Sequence, residues 1–232
     1  CFEAPWLSRK EQAWAYLLAE RLHRYLMRFH EEGGRTLGAE ARFRLAVELG
    51  EGPVDQPDGE PVAPRVHVYD SDGERPAGSL AVVSGSIDRV EVYPVGRGEG
   101  LPLDGERDRV MIVDLKTGRS EARVRDEKVA DDPQLAAYQL AFLEGLVPGA
   151  DDVDNAGARL IVLSQTTQKE PNYRLARQAA MSPQARTQFL QTIVRAAWGM
   201  ASPTFAAPID AHCSTSRFGV CALHTVRAVS AS

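Results

Sequence analysis

The chain has 232 residues, 44% of them hydrophobic and 25% charged, which excludes a disordered tract and suits one globular domain with a substantial core. A formal net charge of -5 excludes a globally basic nucleic-acid binder, although basic contacts can be local and acidic residues gathered around a metal produce the same sign. No apolar run approaches the roughly 18 to 20 residues of a membrane helix and no secretory signal is visible, so no membrane partner and a cytoplasmic location are expected.

Ser8 to about Glu32 is helical in period, with Trp14, Leu17, Leu18, Leu22, Tyr25, Leu26 and Phe29 spaced three and four apart behind a Ser8/Glu11 capping-box pattern. The text opens at Cys1, on what reads as the approach to that helix, so a fragment of a longer chain is expected. Apolar and polar residues then alternate from Ala41 to Leu49, which predicts a strand. After a loop rich in Gly, Pro and Asp, "RVHVY" reads as a short strand and "SLAVVSGSIDRVEVY" as a longer one. Pro94 to Asp108 is a Gly-rich turn region leading into "VMIVDLKTG", and together these segments suggest an antiparallel meander. Asp132 to Leu146 has an acidic start, Pro133 near the first helical position and helical apolar spacing. "ARLIVLSQT" reads as a buried strand, Ser182-Pro183 opens a last helix ending near Met200, and a loose tail follows. Three cysteines, Cys1, Cys213 and Cys221, cannot all pair, which argues for a reducing compartment.

The chemistry gathers in "VMIVDLKTGRS". Asp114 and Lys116 are two apart on a strand and so share a face. An Asp-Xaa-Lys pattern discriminates nothing by itself, for Asp126 and Lys128 repeat it in "RVRDEKVADD", which reads as a solvated charge run. Asp114 differs by ending an apolar run, where a carboxylate is costly unless paired or bound to metal. Asp88 lies in another apolar strand, after the small residues Ser84, Gly85 and Ser86 that leave room for close approach. Held together on neighbouring strands, two carboxylates repel unless a divalent cation lies between them. Mg2+ or Mn2+ suits all-oxygen ligation; the Leu115 backbone carbonyl could add a ligand and Lys116 could face the developing charge or the attacking water. The plain alternative is that Asp88 pairs with Arg89 or Arg109.

"GSIDRV", "IVDLKTG" and, about twenty residues on, "PQLAAYQLA" resemble motifs II, III and QxxxY of the RecB-type nucleases of the PD-(D/E)xK superfamily. The resemblance covers roughly Phe2 to Leu163. The opening and the first long helix are similar to nuclease domains at the C-terminal end of actinobacterial superfamily-one helicase-nucleases of the AdnA and AdnB type. It implies an α/β fold with a restriction-endonuclease-like core, a central mixed sheet flanked by helices, over residues 1–200, with 201–232 as a tail packing on it. By the same resemblance Asp88 and Asp114 would be metal ligands, Lys116 the catalytic lysine, and Gln134 and Tyr138, at i and i+4 on one helix face, a supporting pair. The activity implied is metal-dependent, exonuclease-type hydrolysis of DNA, leaving a 3'-hydroxyl and a 5'-phosphate. Helicase domains of the same longer chain, which would use the ATP, and a second helicase-nuclease subunit are the implied partners, in double-strand-break processing and repair.

The chain departs from that pattern at its motif I histidine. His23 in "AERLHRYLMRFHEE" imitates the motif, against a surface or packing histidine, and Glu40 in "GAEARF" is a further acidic candidate, against a plain exposed strand Glu. The tail resembles the place where such nucleases complete an iron-sulfur cluster, but with only Cys213 and Cys221, and Ser216 where a partner would stand, no cluster is expected. Zinc on Cys213, Cys221, His212 and His224 matches no standard spacing, and buried thiols are the simpler reading. Arg119, Arg123 and Arg125 read as a solvated loop in preference to phosphate contacts. A non-catalytic nuclease-fold scaffold guiding DNA, and a small-molecule hydrolase with an unrelated two-carboxylate site, are the competing functions.

Overall fold

The computed structural model describes residues 5–50, 63–68, 77–101, 105–118, 126–150, 152–164 and 172–201. They form one six-stranded sheet in the order β2-β1-β3-β4-β5-β6, from β1 (Arg35–Glu48), β2 (Val66–Val68), β3 (Leu80–Tyr93), β4 (Arg109–Lys116), β5 (Asp154–Val162) and β6 (Arg174–Gln178). Only β4 and β5 run parallel among the paired strands, and the short α2 (Asp126–Val129) and α3 (Pro133–Leu143) form the crossover between them. The sheet is therefore mixed, and helices flank both faces.

Strand parity decides which helix covers which face. Val110 and Ile112 of β4 share a core with Leu135, Tyr138 and Ala141 of α3, whereas Met111 and Val113 share one with Tyr25 and Phe29 of α1 (Pro5–Glu31). Successive residues of a strand point to opposite faces, so α1 and α3 lie on opposite sides. Leu190 and Val194 of α4 (Pro183–Ala201) join Leu45 and Val47 of β1 and Leu140 of α3, which sets α4 beside α3.

Several elements differ from the expectation. The first helix starts at Pro5, ahead of Ser8, so the Ser8/Glu11 pattern lies inside it; proline suits a first turn whose N-H groups lack partners in any case. The first strand starts at Arg35 instead of Ala41. The meander is interrupted: β2 pairs with Leu45–Val47 on the outer side of β1, and β3 pairs with β1 directly. The charge run containing Asp126 and Lys128 includes the helical turn α2, in which Val129 is buried while Lys128 is exposed. The edge strand β6 was not foreseen.

A buried polar knot ties α1 to the sheet. Glu91 is fully buried and its carboxylate accepts from Tyr25 Oη at 2.5 Å, Tyr93 Oη at 2.8 Å and Arg89 Nε at 2.6 Å. Arg159, also buried, lies over the Tyr93 ring, and Arg21 donates to the Leu163 carbonyl. A buried carboxylate is tolerable only with such a set of donors and cations. No described helix is long and apolar enough to cross a membrane.

Candidate active site

The sheet forks at Asp88 and Asp114. From Tyr93 back to Arg89, β3 pairs with β4, ending at Arg89–Val113. Before that point β3 pairs only with β1, while Asp114, Leu115 and Lys116 pair with Leu160, Ile161 and Val162 of β5. In the gap Asp88 Oδ2 accepts the Leu115 N-H at 3.0 Å, so a carboxylate takes up a donor that strand pairing leaves over.

On the α3 side Asp114 is 1% exposed. Its Oδ2 meets Lys116 Nζ at 2.7 Å and its Oδ1 accepts from Gln134 Nε2 at 3.0 Å. Gln134 joins the group together: its Oε1 accepts from Lys116 Nζ at 3.2 Å and its Nε2 also donates to Tyr138 Oη at 2.7 Å. The placement is local in origin. Asp132 caps α3, its Oδ1 accepting from the N-H groups of Gln134 and Leu135 at 2.9 and 3.0 Å, and Pro133 opens the first turn. The Tyr138 ring stands edge-on to Phe43 at 6.0 Å. Gly85 makes that possible, since a Cβ there would meet the Phe43 ring at 3.0 Å and Tyr138 at 3.7 Å.

Burial raises the proton affinity of Asp114 above the ordinary carboxylate value, with the charges of Asp88 and Asp132 adding to it and Lys116 opposing it. The Tyr138 hydroxyl is pushed up too, chiefly by burial, against the Gln134 hydrogen bond. A desolvated carboxylate beside a second one is a donor set that gains from a cation, so Asp88 and Asp114 fit Mg2+ or Mn2+ in kind. The described group stops at two carboxylates, however, because no cluster of three or more His, Cys, Asp or Glu residues suited to a metal occurs among the described residues.

Asp88, Asp114, Lys116, Gln134 and Tyr138 are thus brought together, and Leu115 contributes its N-H to Asp88. Arg89 is engaged by Glu91 at 2.6 Å, not by Asp88. Glu40 stands across from Asp88, between the paired couples Ala39–Arg89 and Ala41–Ile87. Its φ is +51° and its Oε2 accepts from Ser86 Oγ at 3.1 Å. His23 is exposed on α1 and joins no such cluster. Arg119, Arg123, Arg125 and the tail with His212, Cys213, Ser216, Cys221 and His224 lie outside the described residues, as does Cys1. Sequence reasoning overlooked Asp132 as a charge near the site, although an Asp directly before an N1 proline was a visible signal.

Across residues 2–226 the chain matches the family model of the PD-(D/E)XK nuclease superfamily. No curated protein matches it.

Proposed function

Because the chain belongs to the PD-(D/E)XK nuclease superfamily, we propose that it hydrolyses phosphodiester bonds of DNA with a divalent cation, through Asp88, Asp114, Lys116, Gln134 and Tyr138. The observation that carries the proposal is the contact of Gln134 with Asp114 and Lys116 at the fork of the sheet. Asp88, Asp114 and the Leu115 carbonyl would hold Mg2+ or Mn2+. Bound there, the cation would polarise a phosphate oxygen and lower the pKa of an attacking water.

The chain's own residues do the rest. Lys116 supplies a point charge for the negative charge that builds on phosphorus. Gln134 orients Asp114 and Lys116 at once; the acceptor-only Asp114 carboxylate and the donor-only Lys116 ammonium fix which way its amide points, and Tyr138 Oη accepts a further bond from its Nε2. No covalent nucleophile is required.

In the finer reading the domain is an exonuclease-type module of a cytoplasmic AdnA/AdnB-like helicase-nuclease, trimming strands at double-strand breaks beside helicase domains and a second subunit. The three sequence motifs support that reading. The two-carboxylate group favours a second one, a nuclease fold kept as a DNA-guiding scaffold. The cavity of about 530 Å³ between α3, β6 and α4 lends no support to a pocket-type hydrolase at the two carboxylates, for its lining includes Gln139, Gln178 and Phe189 and none of Asp88, Asp114 or Lys116.

The deciding experiment is cleavage of labelled single-stranded and duplex DNA in Mg2+ or Mn2+ by the chain, by an upstream-extended version and by Lys116→Ala in each. Cleavage lost with Lys116 supports the nuclease. Cleavage that survives Lys116→Ala and Asp114→Asn overturns the assignment of this site, and well-folded chains with no cleavage favour the scaffold.

A further inference from the structure

We propose that Arg42 and Arg44 of β1 form a track for the phosphodiester backbone of a single DNA strand, flanking the site at the fork. The proposal deepens the nuclease reading and rests on it for the place of the scissile phosphate at the fork.

Phe43 and Leu45 point into the cores beneath α3 and α4, 6% and 0% exposed. By strand parity Arg42 and Arg44 point to the other face, and both are exposed. Among the described residues neither makes an ion pair with a carboxylate. The register sets Arg42 opposite Ser86 and Arg44 opposite Ser84, so two guanidinium groups and two hydroxyls line one strip. The two arginines are about 7 Å apart along the strand at a rise of about 3.4 Å per residue. Each guanidinium presents a planar fork of donors suited to phosphate oxygens, and the serine hydroxyls can donate beside it.

The strip leads to the fork. Ser86 is two residues before Asp88 and donates to Glu40, which stands across from Asp88. Acidic groups thus mark the end where a cation would bind, and basic groups the end where only phosphate would be held. Lys116 lies on the α3 side of the sheet and the arginines on the other, so a strand held by both crosses the fork, and the arginines hold phosphates away from the scissile one. For a chain of net charge -5 there is no general attraction for a polyanion, and a local strip has to supply it.

The test is binding of a labelled oligothymidylate by fluorescence anisotropy in EDTA, where no cleavage occurs, across a salt series. The chain is compared with Arg42→Gln/Arg44→Gln, with Arg42→Lys/Arg44→Lys, and with Arg195→Gln on α4 as a remote control. Loss of two phosphate contacts makes the plot of log K against log salt shallower by about 1.4 and weakens binding at 0.1 M salt by about 25-fold. The lysine pair should bind close to wild type and the Arg195 variant should be indistinguishable from it.

An unchanged slope in the glutamine pair overturns the track, and so does failure of the parent chain to bind the oligonucleotide. Cleavage measured in parallel separates the two readings. A cleaving enzyme whose binding ignores Arg42 and Arg44 keeps the nuclease and loses the track; salt-sensitive binding through these arginines without cleavage keeps the track and loses the nuclease.

Discussion

Replacing Gln134 by alanine tests whether the amide at the fork holds the carboxylate proposed to bind the cation. The Gln134 Nε2 to Asp114 Oδ1 bond is 3.0 Å long and its acceptor is 1% exposed, so it is a hydrogen bond to a charged group in a nearly dry setting, worth about 1.5–3 kcal/mol. The Lys116 to Gln134 contact at 3.2 Å involves an ammonium whose side chain is 29% exposed, and solvent screening leaves it no more than about 1 kcal/mol. At about 1.4 kcal/mol per tenfold, losing the Asp114 bond weakens cation binding by roughly 10- to 100-fold, the range usual for residues that orient metal ligands. The assay is isothermal titration with Mn2+ on the parent chain and on Gln134→Ala, with a thermal melt to confirm that both are folded. Protons and the cation compete for Asp114, whose proton affinity burial already raises. Affinity therefore rises with pH and levels off, and in the variant the rise shifts to higher pH. An Mn2+ affinity within about twofold of the parent, where outer-shell losses reach at least about tenfold, would refute the reasoning.

Asp114→Asn should abolish cation binding yet raise Tm at pH 7 in EDTA. A carboxyl whose folded pKa is raised contributes stability that is full below its unfolded value, about 3.9, and is lost as pH rises through the folded value. The variant's advantage should thus disappear at acid pH, and melts across pH check the sign. Tyr25→Phe removes a buried 2.5 Å bond to Glu91 and should cost about 1.5–3 kcal/mol, a fall in Tm of about 3–12 °C; an unchanged Tm would deny the knot beneath α1 any weight. Gly157→Ala places a Cβ 2.3 Å from the Gln178 carbonyl oxygen at a φ of +101°. Denaturant titration should show a loss of more than about 1 kcal/mol, since both strain and a backbone clash act there.

The elements that were legible owed it to periodicity. α1 and α4 carry apolar residues three and four apart, and β4 is a short apolar run closed by a charged pair. The nearness of Asp114 to Lys116 and of Gln134 to Tyr138 follows from strand parity and helix spacing, both local rules. The illegible parts depend on partners distant in sequence. β6 reads "RLARQ" and becomes a strand because β5 offers its edge, from Ala158–Gln178 to Val162–Arg174. The outer position of β2 depends on which flank of β1 is unpaired. Nothing in "DRVEV" marks Glu91 as buried, and only the approach of Tyr25 from α1, 66 residues away, makes it a buried acceptor. The left-handed Glu40 beside Asp88 has no glycine to announce it.

The hydrogen bond from the Leu115 N-H to Asp88 Oδ2 gives the site a resident spectroscopic probe. Most amides in a sheet report on a neighbouring carbonyl; this one reports on a carboxylate that is expected to change its ligand. In a 1H-15N spectrum the Leu115 cross-peak should move when a cation draws on the oxygen electrons of Asp88. Its solvent exchange should follow the lifetime of one side-chain contact instead of the opening of the sheet. One backbone resonance therefore reads the state of the fork without any label placed inside it.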